Sequence, residues 1–136
     1  GPAGMTHRFP VRIHYEDTDL SGFVYHANYL RFCERGRSDW VAGLGIDQGA
    51  MREGGLVFAV VAMDCRFLAP ARLGDDLTVE TVPLSAGGVR AVLDQRVTRG
   101  EAALFAARVT LVCMTAGGRP RRLPEALRQA PAVRGD

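Results

Sequence analysis

The chain has 136 residues, 47% of them hydrophobic and 24% charged, with a formal net charge of +2. That length suits a single globular domain with a real core, and so small a charge gives no electrostatic basis for nucleic-acid binding. No apolar run approaches the ~20 residues that cross a bilayer, so no integral membrane segment of that kind is expected.

Gly1-Pro2-Ala3-Gly4, ahead of Met5, reads as the remnant of a cleaved tag, leaving residues 5–136 as the expected domain. All 17 basic residues are arginine, so any phosphate-binding group here is a planar, permanently charged fork. Cys33, Cys65 and Cys113 are far apart and set among apolar residues. They read as buried free thiols of a cytoplasmic protein, not as a disulfide or metal framework, and no metal is expected.

Residues 9–15 alternate Val11, Ile13 and Tyr15 against Arg12, His14 and Glu16, the pattern of a strand with one buried face. An acidic loop follows, with Glu16, Asp17, Asp19 and Gly22. From about His26 the period becomes helical: Leu30, Cys33, Arg37, Trp40, Val41 and Leu44 recur at three- and four-residue spacings, and Gly43 and Gly45 mark the end. Asp47 caps a short helix ending before Gly54-Gly55. Residues 56–67 are almost continuously apolar up to Met63, as expected of a strand covered on both faces. Strands are expected over 77–84, 89–98 and 102–115, joined by turns at 85–88 and 99–101. Residues 119–124 are basic and extended, and 125–130 close the chain with a helical turn.

One strand, one long helix and four further strands joined by tight turns predict an α+β layer, an antiparallel five-stranded sheet curved around the helix. One helix cannot cover both faces of such a sheet. The apolar 56–63 run therefore predicts a second copy, a homodimer at least.

The chemistry concentrates between Tyr15 and Tyr29. A helix start offers unpaired N–H groups and the positive end of the helix dipole, which suit a developing oxyanion. A carboxylate upstream can serve as a base or nucleophile, and Gly22 lets the backbone approach a ligand. Asp19 and His26 are the natural pair. Spacing alone is equally met by a turn-capping Asp19, a structural His26 and a capping Asn28, with Glu16 and Asp17 as loop charges and Tyr15 and Tyr29 as packing residues. Glu34, Arg35 and Arg37 read as local ion pairs on the helix.

The run Tyr15-Glu16-Asp17-Thr18-Asp19, then Gly22, Val24-Tyr25-His26 and Tyr29, followed by Glu34-Arg35 and Arg37, resembles the signature of hotdog-fold acyl-CoA thioesterases. It is most similar to the YbgC-type, Tol–Pal-associated branch, related to the hydroxybenzoyl-CoA thioesterases. The likeness continues through Phe67-Leu68-Ala69-Pro70-Ala71-Arg72-Leu73-Gly74-Asp75 and Gly118-Arg119-Pro120-Arg121-Arg122-Leu123-Pro124. Leu20-Ser21 departs from it, in positions where small residues are common.

The resemblance implies a hotdog fold whose protomers join their sheets as a homodimer or homotetramer, with active sites between protomers. It places the catalytic aspartate on Asp19 and the branch's histidine on His26. The thioester-polarising backbone N–H falls on His26, with that of Tyr25 as a second donor. Gly22, Val24 and Tyr25 border the substrate, and Val61 and Met63 are candidates for the acyl pocket. Arg119, Arg121 and Arg122 are candidates for the coenzyme A phosphates, with Arg72 and Arg99 behind them. Coenzyme A is part of the substrate, and no cofactor is implied. A non-catalytic acyl-CoA or acyl-carrier-protein binding module on the same fold is the alternative, and a hotdog dehydratase ranks below both.

Overall fold

Helix α1, Ala27–Gly43, organises the chain. Its inward face is Tyr29, Phe32, Cys33, Gly36, Arg37, Trp40 and Val41, all buried and repeating at three- and four-residue steps. The computed structural model describes residues 6–130, so the expected tag remnant lies outside the described residues. Around α1 run β1 (His7–Arg12), a 3₁₀ turn (Tyr15–Asp17), α2 (Gln48–Glu53), β2 (Leu56–Phe67), β3 (Asp76–Gly87), β4 (Arg90–Arg99), β5 (Ala102–Thr115) and α3 (Glu125–Arg128). The strands form one antiparallel sheet in the order β1-β3-β4-β5-β2. This is the helix-and-sheet layer expected.

α1 packs on β1, β3 and β4. Gly36 sets how closely: a Cβ built there would lie 2.6 Å from the Val79 Cγ1 atom of β3. The core fills the space between, from Phe32 and Trp40 on the helix to Leu77, Val79, Leu93, Phe105 and Val109 on the strands. Among the described residues no helix is long and apolar enough to cross a membrane.

Several expectations are corrected. The first strand ends at Arg12, because Asp17 Oδ2 accepts the His14 N–H at 2.9 Å and draws the chain into the 3₁₀ turn. Ile13 is buried as expected, but Tyr15 is exposed. The β3–β4 connection is shorter than 85–88. The strand continues to Gly87, and Gly88, with φ +59°, makes the turn with Val89. The helix ion pairs do not form: among the described residues Glu34, Arg35 and Arg37 make none. Arg37 instead turns inward and donates to Gln95 Oε1 at 2.8 Å, and Gln95 Nε2 donates to the Cys33 carbonyl and Thr81 Oγ1.

The two-sided cover expected of residues 56–63 is also missing within one chain. No residue of β2 is buried, and Val61 is 52% exposed. The cause is position: β2 is an edge strand, and α1 packs chiefly on β1, β3 and β4, meeting β2 along one margin only. A register shift between Val60 and Ala62 changes which side chains face the helix, from Phe58 and Val60 before the bulge to Met63, Cys65 and Phe67 after it.

Candidate active site

The acidic loop is a tight hairpin. Thr18 bridges Val24, the Asp19 N–H donates to the Phe23 carbonyl at 2.9 Å, and the Gly22 N–H donates to the Asp19 carbonyl at 3.0 Å. Gly22 turns the chain with φ +87°, a conformation that a side chain would oppose. The hairpin is laced to the 70–73 segment: Val24 N–H donates to the Ala71 carbonyl (2.8 Å) and Leu73 N–H to the Gly22 carbonyl (3.2 Å). Beside it, the Arg72 guanidinium lies 5.0 Å over the Phe23 ring.

Asp19 points into solvent at this hairpin, and one oxygen is engaged. Its Oδ1 accepts both the Ser21 N–H, at 2.8 Å, and the Ser21 hydroxyl. The hydroxyl contact, then the backbone one, holds the Asp19 carboxyl below its ordinary range. The group is ionised at neutral pH, and Oδ2 has no partner among the described residues.

The helix start is held by one carbonyl. Asp17 O accepts the Tyr25 N–H at 3.1 Å and the Asn28 Nδ2 at 2.9 Å. Tyr25 N–H is thus occupied and is removed as an oxyanion donor. The N–H groups of His26 and Ala27 have no acceptor among the described residues. They sit at the positive end of α1, where an anion is stabilised.

Next to them lies a cavity of about 320 Å³, lined by Val24, His26, Tyr29, Phe67, Leu68, Ala69 and Pro70. Its wall is aromatic. The Tyr29 ring stacks on Phe105 at 5.2 Å, and the Phe67 ring lies 5.0 Å from Phe105 and 5.9 Å edge-on to His26. The buried Tyr29 hydroxyl accepts the Ala71 N–H at 3.0 Å, tying this wall to the segment that carries the Asp19 hairpin.

Of the sequence candidates, Val24 and His26 line the cavity, whereas Asp19, Gly22 and Tyr25 lie in the adjoining hairpin and helix start and do not line it. Val61 and Met63 do not line this cavity: Met63 packs against the core and Val61 stands at the bulge of the free edge. Arg119, Arg121 and Arg122 follow β5 at its Thr115 end, which pairs with Leu56, whereas the cavity lies at the Phe67 end. Those ends of β2 are about 35 Å apart at strand rise. Among the described residues no group of three or more His, Cys, Asp or Glu converges as a metal site.

Sequence reasoning missed three residues. Ser21 carried a signal, since a serine two positions after an aspartate is suited to an Asx turn. Phe67 carried none, because it meets His26 only through the packing of β2 beside α1. Arg90 opens β4 at the same end of the sheet, where it pairs with Val112 of β5 and where the Leu123 N–H donates to the Gly88 carbonyl (2.9 Å).

Across residues 21–106 the chain matches the model of the thioesterase superfamily. The chain belongs to that superfamily. It is 38% identical over 122 residues to the acyl-CoA thioester hydrolase YbgC of Escherichia coli O6:H1, covering 88% of this chain and 91% of that protein. It is 36% identical over 124 residues to the acyl-CoA thioesterase YbgC of Haemophilus influenzae, covering 90% and 91%. Among solved structures, a probable thioesterase from Bartonella henselae superposes with a TM-score of 0.83 at 38% identity, covering 88% of this chain and 99% of that one. This thioesterase thus has the hotdog fold and a YbgC-type sequence, as the opening motif implied.

Proposed function

We propose that this thioesterase hydrolyses acyl-coenzyme A to the free acid and coenzyme A, with Asp19 and the start of α1 as the catalytic centre. One observation carries the reading: an ionised carboxylate with a free oxygen stands in the same hairpin-and-helix unit as two unused N–H groups and an apolar cavity. The thioester carbonyl would accept the His26 N–H, with Ala27 beside it, so that negative charge develops on oxygen at the positive end of the helix. Asp19 Oδ2 then acts on the carbonyl carbon directly, giving a mixed anhydride that water cleaves, or takes a proton from the attacking water. Coenzyme A leaves as the thiolate and is protonated. The His26 ring, edge-on to Phe67 at the cavity wall, orients the substrate. The reaction needs water and no cofactor.

The functional unit is taken to be two protomers joined through β2. Antiparallel pairing of two β2 edges continues the sheet and sets the Leu56 end of one copy beside the Phe67 end of the other. The second copy's β5 end then arrives beside the cavity with its Arg119, Arg121 and Arg122, available to the coenzyme A phosphates. The acyl chain would follow the helix-facing side of β2 past Met63 towards Val60. A cytoplasmic setting fits free thiols and a coenzyme A ester.

A panel of aliphatic and aromatic acyl-CoA esters, followed with a thiol reagent, tests the reading. Release of thiol from at least one ester supports it. Tight acyl-CoA binding by calorimetry with no turnover over the panel would make this a binding module. Single turnover in ¹⁸O-water separates the two routes, since only the nucleophilic one can leave label in Asp19.

A further inference from the structure

We propose that Arg37 is half of an ion pair between protomers, its carboxylate being the partner's Glu34, formed twice across the two-fold axis. The inference rests on the two-protomer reading above and adds to it the contact that fixes the register.

Arg37 is 9% exposed, yet its one hydrogen bond is to a neutral group, Gln95. Among the described residues no carboxylate comes within 4.0 Å of it. A buried guanidinium without a counter-charge is expensive. Its remaining nitrogens are not sealed in, since no buried side-chain nitrogen lacks a partner among the described residues. Arg37 itself lines a cavity of about 130 Å³ with Glu34, Ser38, Val41, Phe58 and Val60. Glu34 is exposed on the same wall, one helical turn away, and forms no ion pair in its own chain. The cavity thus presents one charge of each sign with no direct ion pair, Glu34 acting on Arg37 of its own chain only at longer range.

Its position says what closes it. α1 starts beside Phe67 and reaches Phe58 and Val60 by Glu34 and Arg37, so helix and strand run in opposite directions. If two β2 edges pair antiparallel about the exposed Val60 and Val61, the two α1 helices lie antiparallel on the same side of the joined sheet. The turn carrying Glu34 and Arg37 then meets itself, and such a contact is self-complementary.

The test mixes two chains, Glu34→Gln and Arg37→Gln, one isotopically labelled, and follows subunit exchange by native mass spectrometry. Each homodimer loses both pairs, whereas the heterodimer keeps one. The expected result is weaker homodimers and a ratio of heterodimer to the geometric mean of the two homodimers raised about tenfold over its binomial value, as loss of a buried charge partner implies. Binomial mixing of folded chains would overturn the inference while leaving the dimer standing. A wild type monomeric at micromolar concentration would instead overturn the two-protomer reading beneath it. Should Arg37→Gln not fold, Glu34→Arg on the exposed side of the pair must still weaken wild-type pairing, and an unchanged dissociation constant refutes the pair.

Discussion

Asp19 owes its low proton affinity to Ser21, whose hydroxyl and N–H both donate to Oδ1. In the proposed mechanism the deprotonated form acts, so a depressed value keeps it present as pH falls to and below the ordinary carboxylate range. Ser21→Ala removes the larger contribution and leaves the backbone bond. The Asp19 titration midpoint should rise towards that of an ordinary aspartate. The acid limb of kcat/KM should move to higher pH with it, as carboxyl NMR and a pH–rate profile would record. Because Asp19 is exposed, the same substitution should leave folding stability almost unchanged. The placement of Asp19, Gly22 and His26 in one turn and helix start was legible in the sequence because these are local features. The role of Tyr25 was not, because its N–H is claimed by the Asp17 carbonyl, a contact that exists only once the 3₁₀ turn and helix have formed.

At the scale of elements, the seat of α1 on β3 has no spare room at Gly36. Alanine there gains about 1 kcal/mol of helix propensity. It also brings a methyl within 2.6 Å of Val79 Cγ1 and 3.1 Å of Val79 Cβ. Rotating Val79 relieves only the first contact, so overpacking at about 1–3 kcal/mol should win and lower the urea midpoint. Gly43→Ala is the control. It lies in the same helix with nothing within 4 Å of the added Cβ, and it should hold or raise that midpoint. Tyr29→Phe orphans the buried Ala71 N–H, at about 1–3 kcal/mol. It should also loosen the 70–73 segment, visible as faster amide exchange there. The elements were legible because hydrophobic period separates one helix from a run of strands. The buried Arg37 was not, because it depends on Gln95 and Thr81 from two other strands.

The whole molecule carries its largest unmet demand along β2. An edge strand of twelve residues with none buried, and with Val60 and Val61 exposed at its middle, is a surface that invites pairing. Val61→Arg should block that pairing and give a monomer in sedimentation velocity. Activity should fall with dimer content although Val61 lies outside the cavity. Full activity in a monomer would put the whole site in one chain. The doubly apolar 56–63 run was the sequence's sign of this surface, and a single chain leaves it uncovered.

The most direct measurement is hydrolysis of a responsive acyl-CoA ester by wild type and Asp19→Asn at neutral pH. Asparagine keeps an acceptor for Ser21 and removes the charge, so the fold should persist by circular dichroism while kcat/KM falls on the order of 10²-fold or more. Equal thiol release by the two folded proteins would contradict the assignment of Asp19 as the group that acts on the thioester.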